Sequence, residues 1–318
     1  MTNEPREKLS RPLLWAAVLV LGIATSGLSQ LTPGADTQLI RDSLPLFRAA
    51  TRIGGRYAEI VTYEDPLDLA SGDIELTGID PKLPMAWSQK TRVLRIPDTM
   101  AGAALPKPDA EALRGLLASY HRDNPDAPRF KVLESKYGLH IVPDQVRGED
   151  GEWKSAASPL DTVITVPAAL RMPSEHFQAI SDAVAAAVAF KIRLFAPWID
   201  QYYLPNGEMP SRSVLDRLNF LGAGPEEKRP YSFEWGANGV PAREALISLL
   251  QGSGTSLVWH FNIHPSPTPS NRLGIFNVVP LRVPVAQPDG TTSERDLVFD
   301  RCTKCPPLGA LPPAVLPK

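Results

Sequence analysis

The chain has 318 residues, of which 43% are hydrophobic and 21% are charged, a balance typical of a globular protein with its own core. Its formal net charge is −2, so the charge balance gives no support to binding of nucleic acid or of an anionic membrane surface. The 33 prolines are about twice the average usage and favour short elements separated by rigid turns.

An N-terminal export signal is predicted over residues 1–29. Three basic residues precede an uncharged apolar run over residues 13–24, and small residues follow, with cleavage expected after Ser29. The run is shorter than the roughly 20 residues that a membrane-spanning helix needs, which favours a signal peptide. We therefore expect a periplasmic or secreted protein. The alternatives are a single-pass anchor, with the bulk of the chain outside the cytoplasm, and a buried N-terminal helix.

The first α+β unit is predicted over residues 36–96. Its apolar residues share one helical face over 36–56, although Pro45 falls inside that run. Residues 97–109 are rich in Pro, Ala and Gly and are predicted to form a linker. Short strands of this unit are predicted at 59–63, at 74–79 and within 85–96.

A helix–hairpin unit is predicted over residues 110–160. The apolar spacing over 111–121 indicates an amphipathic helix. Two alternating runs, 129–135 and 139–142, are separated by a short turn and indicate a hairpin. Residues 143–160 are polar and glycine-containing, and we expect a loop there.

A second α+β domain is predicted over residues 161–300, followed by a Cys- and Pro-rich tail over 301–318. Its coarse order is β-α-β, a loop over 196–230, and β-α-β-β. Ser174 is expected to cap the first of these helices and Pro241 to begin the second. The strands are predicted at 161–166, 191–195, 231–235, 256–264 and 273–285. The whole pattern predicts an α+β fold of two or three small units, with helices packed on short, mostly antiparallel sheets.

The segment from Arg243 to Trp259 combines a leucine-lined helix, a glycine stop and an alternating strand. The positions that carry this pattern are Ala245, Leu246, Leu249, Leu250, Gly252, Gly254 and Leu257. Residues 161–285 resemble, through this pattern, the short N-terminal domain shared by secretins and TonB-dependent receptors. They depart from that family in the long insertion over residues 196–230. The whole chain also resembles uncharacterised exported bacterial proteins with a similar CTKCPP ending. The resemblance implies a periplasmic module that docks protein partners through sheet edges and helices.

Cys302 and Cys305 form a single CxxC motif near the C-terminus. In an oxidising compartment we expect a structural disulfide that closes a tight turn. A redox-active pair is the alternative, but such pairs open a helix, whereas Pro306 and Pro307 follow here. A zinc site would need two further ligands, and no second CxxC or HxxxH lies nearby in the sequence.

Two further groups of polar residues are candidates for chemistry. His260 and His264 have the HxxxH spacing, but the surrounding alternation indicates a strand, on which they lie about 13 Å apart. We therefore expect a solvated strand face and no metal. Glu64 and Asp65 are adjacent acids before Pro66, and we expect an ordinary acidic pair at a turn.

Trp198, Tyr202 and Tyr203 cluster in the predicted loop beside polar residues and form a candidate binding surface. No catalytic motif, cofactor fingerprint or metal motif is present in the sequence. The leading hypothesis is therefore an exported, non-catalytic protein of the bacterial cell envelope that binds a protein partner. It would contact a membrane only through an uncleaved N-terminal segment. The alternatives are an exported hydrolase with a dispersed site and a thiol–disulfide protein that uses the CxxC.

Overall fold

The protein has an α+β fold. The structure is a computed structural model that describes residues 37–77, 86–97, 109–168, 173–196, 235–253, 256–266, 268–286 and 291–297. The predicted signal, the candidate aromatic cluster Trp198, Tyr202 and Tyr203, and the CxxC of Cys302 and Cys305 lie outside these residues.

Four α-helices and fourteen strands occur within the described residues. The helices are α1 (Pro45–Tyr57), α2 (Ala110–Asp123), α3 (Pro173–Val188) and α4 (Ala242–Ser253). The strands of the first half are β1 (Thr37–Asp42), β2 (Val61–Glu64), β3 (Ile74–Thr77), β4 (Ala86–Gln89), β5 (Arg92–Pro97), β6 (Arg129–Glu134), β7 (Leu139–Arg147) and β8 (Trp153–Ser155). Those of the second half are β9 (Val163–Val166), β10 (Lys191–Phe195), β11 (Ala237–Pro241), β12 (Leu257–His264), β13 (Leu273–Ala286) and β14 (Thr292–Leu297). None of the described helices is long and apolar enough to cross a membrane.

An eight-stranded mixed sheet forms the centre of the molecule. Six of its strands follow the order β10-β13-β12-β2-β7-β6, while β14 pairs with β13 and β8 pairs with β7. Strand β2 is parallel to both of its neighbours, β12 and β7. The pairs β1–β5, β3–β4 and β9–β11 form three separate antiparallel two-stranded sheets.

Helices cover both faces of the central sheet. Successive residues of a strand point to opposite faces, and the side chains of β2 therefore alternate between the two faces of the sheet. Val61 and Tyr63 belong to an apolar cluster with α1 and α2. Trp259 and Phe261 of β12 belong to a second cluster, with α3 and α4. Thr62 and Glu64 point from β2 toward this second side, which places polar groups in the middle of the molecule.

The first unit begins differently from the prediction. The predicted helix over 36–56 was wrong in its first third, because residues Thr37–Asp42 form β1 and the helix begins at Pro45. Proline is favoured in the first turn of a helix and excluded from its interior. The proline therefore marks the start of α1 rather than a defect within it.

Three further expectations were wrong in detail. The predicted loop over residues 143–160 contains the end of β7, the strand β8 and a short 3₁₀ turn at Pro159–Asp161. Ser174 lies inside α3, whose first residue is Pro173. Pro241 ends β11 instead of opening α4, which starts at Ala242.

Candidate functional site

The candidate site surrounds two adjacent carboxylates at the carboxyl end of β2. Glu64 is the last residue of the strand and Asp65 follows it, and both are completely buried. The expectation of an ordinary acidic pair at a turn was therefore wrong. Strand β2 pairs with β12 and β7 on its two edges, and an apolar cluster covers each face of the sheet, so the end of the strand is enclosed. Buried carboxylates are costly unless their oxygens are hydrogen-bonded, so their partners decide what they can do.

Glu64 is neutralised by Arg243, the second residue of α4. The guanidinium contacts both carboxylate oxygens, with Nε 2.8 Å from Oε1 and Nη2 2.6 Å from Oε2. The indole N–H of Trp259 donates to Oε1 over 3.2 Å, and the Ser158 hydroxyl donates to Oε2. Glu64 thus accepts four hydrogen bonds and forms a bidentate ion pair with Arg243.

Asp161 continues this network toward the surface. Its Oδ1 lies 2.6 Å from Nη1 of Arg243, and its Oδ2 accepts the backbone N–H of Ser158 over 2.7 Å. Burial alone would lower the pKa of Arg243, but Glu64 and Asp161 together raise it above its ordinary value. Arg243 therefore stays charged and, through Glu64 and Asp161, ties α4 and the turn at Ser158 to β2.

Asp65 has a different environment because no cation is among its donors. Its Oδ1 accepts the hydroxyl of Tyr63 over 2.6 Å. Its Oδ2 accepts the side-chain amide of Gln89 over 2.7 Å and the backbone N–H of Ile263 over 2.6 Å. Burial raises the pKa of Asp65 to about 7, although all three hydrogen bonds act in the opposite direction.

A buried histidine lies beside this region, on the same side of the sheet as Glu64. His140 of β7 stacks on Trp259, with ring centroids 5.0 Å apart. Its Nδ1 lies 2.9 Å from the hydroxyl oxygen of Thr62, and its Nε2 lies 2.7 Å from that of Ser135. Burial, and secondarily Arg243, lower the pKa of His140 to about 3.

Ser135 and His140 have the spacing of a nucleophile and its base, but their surroundings favour a structural role. The backbone N–H groups of Tyr137 and Gly138 donate to Ser135 Oγ, so they are not directed at a substrate oxygen. Thr62 occupies the position at which a carboxylate would support a protonated ring. The pair therefore closes the β6–β7 turn.

His260 and His264 both lie on β12, as the alternation predicts. His260 is only 3% exposed, however, so the expectation of a solvated strand face was wrong for it. Its ring packs edge-on against Phe47 of α1, and its Nδ1 has no hydrogen-bond partner among the described residues. Burial lowers its pKa to about 3. In the described part of the chain, no group of three or more His, Cys, Asp or Glu residues could hold a metal ion.

A half-exposed apolar pair lies on the β3–β4 hairpin. Leu76 and Trp87 are directly opposite each other, and they are 47% and 36% exposed. Gln89 and its opposite residue Ile74 lie two positions along the same strands, so all four side chains share one face. On this face of the hairpin, Gln89 hydrogen-bonds to Asp65 of the body. Leu76 and Trp87 lie on the same face, two residues farther from that contact.

A surface groove of about 580 Å³ lies between α3 and β10. Ala179 and Asp182 of α3 and Leu194 and Phe195 of β10 are among its lining residues. It adjoins the point at which the chain continues into residues 197–234, which include the predicted aromatic surface and are outside the description. The structure therefore leaves that prediction untested.

The sequence shows Glu64 and Asp65 only as adjacent acids, because all of their partners except Tyr63 are distant along the chain. Arg243 lies 179 residues from Glu64, and Ile263 lies 198 residues from Asp65. No protein-family model matches the chain, and no curated protein or solved structure matches it.

Proposed function

We propose that this chain is an exported, non-catalytic protein of the cell envelope that binds another protein through the apolar pair Leu76–Trp87. The main support for this proposal is the exposure of two large apolar side chains that lie opposite each other on one hairpin. Export is proposed from the apolar run over residues 13–24 of the sequence.

The chemistry of the pair suits a protein interface. Tryptophan is enriched among the residues that dominate binding energy, and such residues act best when a partner covers them fully. Strands β3 and β4 pair only with each other among the described strands. Each consequently offers a further edge for main-chain hydrogen bonds with a partner strand.

The resemblance to the short domain of secretins and TonB-dependent receptors points in the same direction, since it implies docking through sheet edges. The polar groups at the end of β2 are consistent with this proposal, because the carboxylate oxygens of Glu64 and Asp65 are bonded within the fold. They stabilise the scaffold on which the hairpin is held.

The test is site-specific photo-crosslinking in cells that produce the protein, followed by fractionation. A photoreactive residue is placed at Trp87 and, as a matched control, at Val163 of β9, which is 65% exposed. We expect a discrete crosslinked protein from position 87 only, in the envelope fraction. Equal crosslinking from both positions would contradict the proposed surface, and recovery of the protein in the cytoplasmic fraction would contradict export.

A further inference from the structure

Among the described residues, the side chain of Gln89 bonds the β3–β4 hairpin to the body. The hairpin forms its own two-stranded sheet and shares no ladder with the eight-stranded sheet among the described pairs. The Gln89 side-chain amide donates to Asp65 and, over 3.4 Å, to the backbone oxygen of Ile263. The 2.8 Å bond from the Lys90 backbone N–H to the Asp73 carbonyl continues the hairpin's own ladder, since Ile74 is aligned with Gln89. The hairpin can therefore separate from the body without breaking the central sheet.

Asp65 lies directly beneath this hairpin. Its carboxylate is bonded by Gln89 of the hairpin, by Tyr63 of its own strand and by the Ile263 backbone of β12. Lifting Gln89 away would expose one side of a group that is otherwise completely buried. Water would then solvate a charge that the closed structure leaves without a counter-ion.

The other charged and titratable groups near Asp65 do not compensate it. Arg92 of β5 forms ion pairs with Asp73 and Asp126: its Nη2 lies 2.8 Å from Asp73 Oδ1, and its Nη1 lies 2.7 Å from Asp126 Oδ1. Burial raises the pKa of Tyr63 and, on α2, of Tyr120, so both stay neutral. On β12, His260 lies opposite Tyr63, and burial lowers the pKa of His260 and of the neighbouring His264.

We propose that Asp65 is a proton-binding site that couples docking of the β3–β4 hairpin to pH. The closed hairpin holds Asp65 as the neutral acid. In that form Oδ2 still accepts from Gln89 and Ile263. The open hairpin leaves a hydrated carboxylate. The inference concerns the hairpin's own equilibrium and does not depend on the identity of any partner.

The direction of the pH effect follows from linkage. In the closed state the pKa of Asp65 is about 7, whereas in water a carboxyl of this type has its ordinary value of 3.8. Because the closed state binds the proton more tightly, acid favours closure. The opening constant is therefore expected to rise about tenfold per pH unit between pH 4 and pH 7 and to level off above pH 7.

The experiment measures hydrogen exchange of the Ile263 amide by NMR from pH 5 to pH 7.5, corrected for intrinsic exchange rates. This amide donates to Asp65 itself, over 2.6 Å. We expect its opening constant to increase on the order of 100-fold from pH 5 to pH 7 in the wild-type protein. In Asp65→Asn, which mimics the neutral acid, the opening constant should be independent of pH. The control His264→Asn should retain the wild-type dependence.

Parallel pH dependences in the wild type and in Asp65→Asn would overturn the proposal. A second measurement covers the case in which Asp65→Asn does not fold. The carboxyl ¹³C resonance of Asp65 in the wild-type protein should titrate near pH 7, and a midpoint near 4 would overturn the proposal independently.

Discussion

At the scale of single residues, Arg243 neutralises a carboxylate that has no access to solvent. Its guanidinium contacts both oxygens of Glu64 and one oxygen of Asp161. Exposed ion pairs contribute little to stability because water screens them. Removing one member of a buried pair is different, since the remaining charge stays buried without compensation.

We therefore expect Arg243→Ala to lower the free energy of unfolding by about 3–5 kcal/mol. The control is Arg114→Ala, which breaks a pair of similar length, 2.7 Å to Glu134, between side chains that are both more than half exposed. This control should cost less than about 1 kcal/mol. Urea denaturation measures both values, and similar small costs for the two variants would show that the buried network is not structural.

The residues of the candidate site were beyond prediction from the sequence. In the sequence, Glu64 and Asp65 are simply two adjacent acidic residues. Because acidic residues are rarely buried, nothing in the sequence predicts that these two are. Their burial results from the position of β2 between β12 and β7. Local patterns do not reveal such long-range pairing, and His260 was misjudged for the same reason.

At the scale of helices and strands, local sequence patterns predicted more of the structure than they did for the site residues. The hairpin of β6 and β7, the helices α2 and α3 and the strands β10 and β12 lie where periodicity placed them, because each has an apolar face with a regular period. The misplaced start of the first helix depended on one proline. The short β8 and the two-stranded pairs depend on tertiary contacts instead.

Gly138, at the turn between β6 and β7, allows that hairpin to approach the chain before β2. A Cβ at this position would lie 2.4 Å from the backbone oxygen of Ile60. We expect Gly138→Ala to destabilise the protein by about 1–3 kcal/mol, since backbone must move. Gly115→Ala is the matched control, because Gly115 lies on α2 with nothing within 4 Å of the added Cβ.

This control should stabilise the protein by up to about 1 kcal/mol, the difference in helix propensity between the two residues. Thermal denaturation followed by circular dichroism compares them. Opposite signs for the two substitutions are the expected result. Stabilisation by both would mean that the turn does not press against the backbone of Ile60.

At the scale of the whole molecule, the buried histidines make the folded state sensitive to acid. In the folded state the pKa of His260 is about 3, whereas its ordinary value is 6.5. The unfolded chain therefore binds the proton more readily than the folded chain. The contribution of neutral, buried His260 to the stability is complete above pH 6.5 and is lost as the pH falls toward 3. Asp65 acts in the opposite direction, since its folded pKa is raised.

We expect His260→Phe to reduce the loss of stability between pH 6.5 and pH 3.5 by up to about 4 kcal/mol, one proton per molecule over three pH units. The phenyl ring would retain the contact with Phe47 and remove the unpartnered Nδ1. Denaturation curves at several pH values test this. At pH 7.5 both forms are neutral at this position, so the comparison there isolates the packing change. Identical pH profiles would refute the assignment.

The position of β2 also constrains how the chain acquires its structure. Tyr63 is aligned with His260 in the parallel pair of β2 and β12, so nearly two hundred residues must emerge from the ribosome before this pair can form. Until then the strand has one open side, and the first half of the polypeptide is an incomplete intermediate. A nascent chain halted before residue 257 should therefore bind chaperones and be cleaved readily by proteases, and maturation should follow, rather than accompany, synthesis.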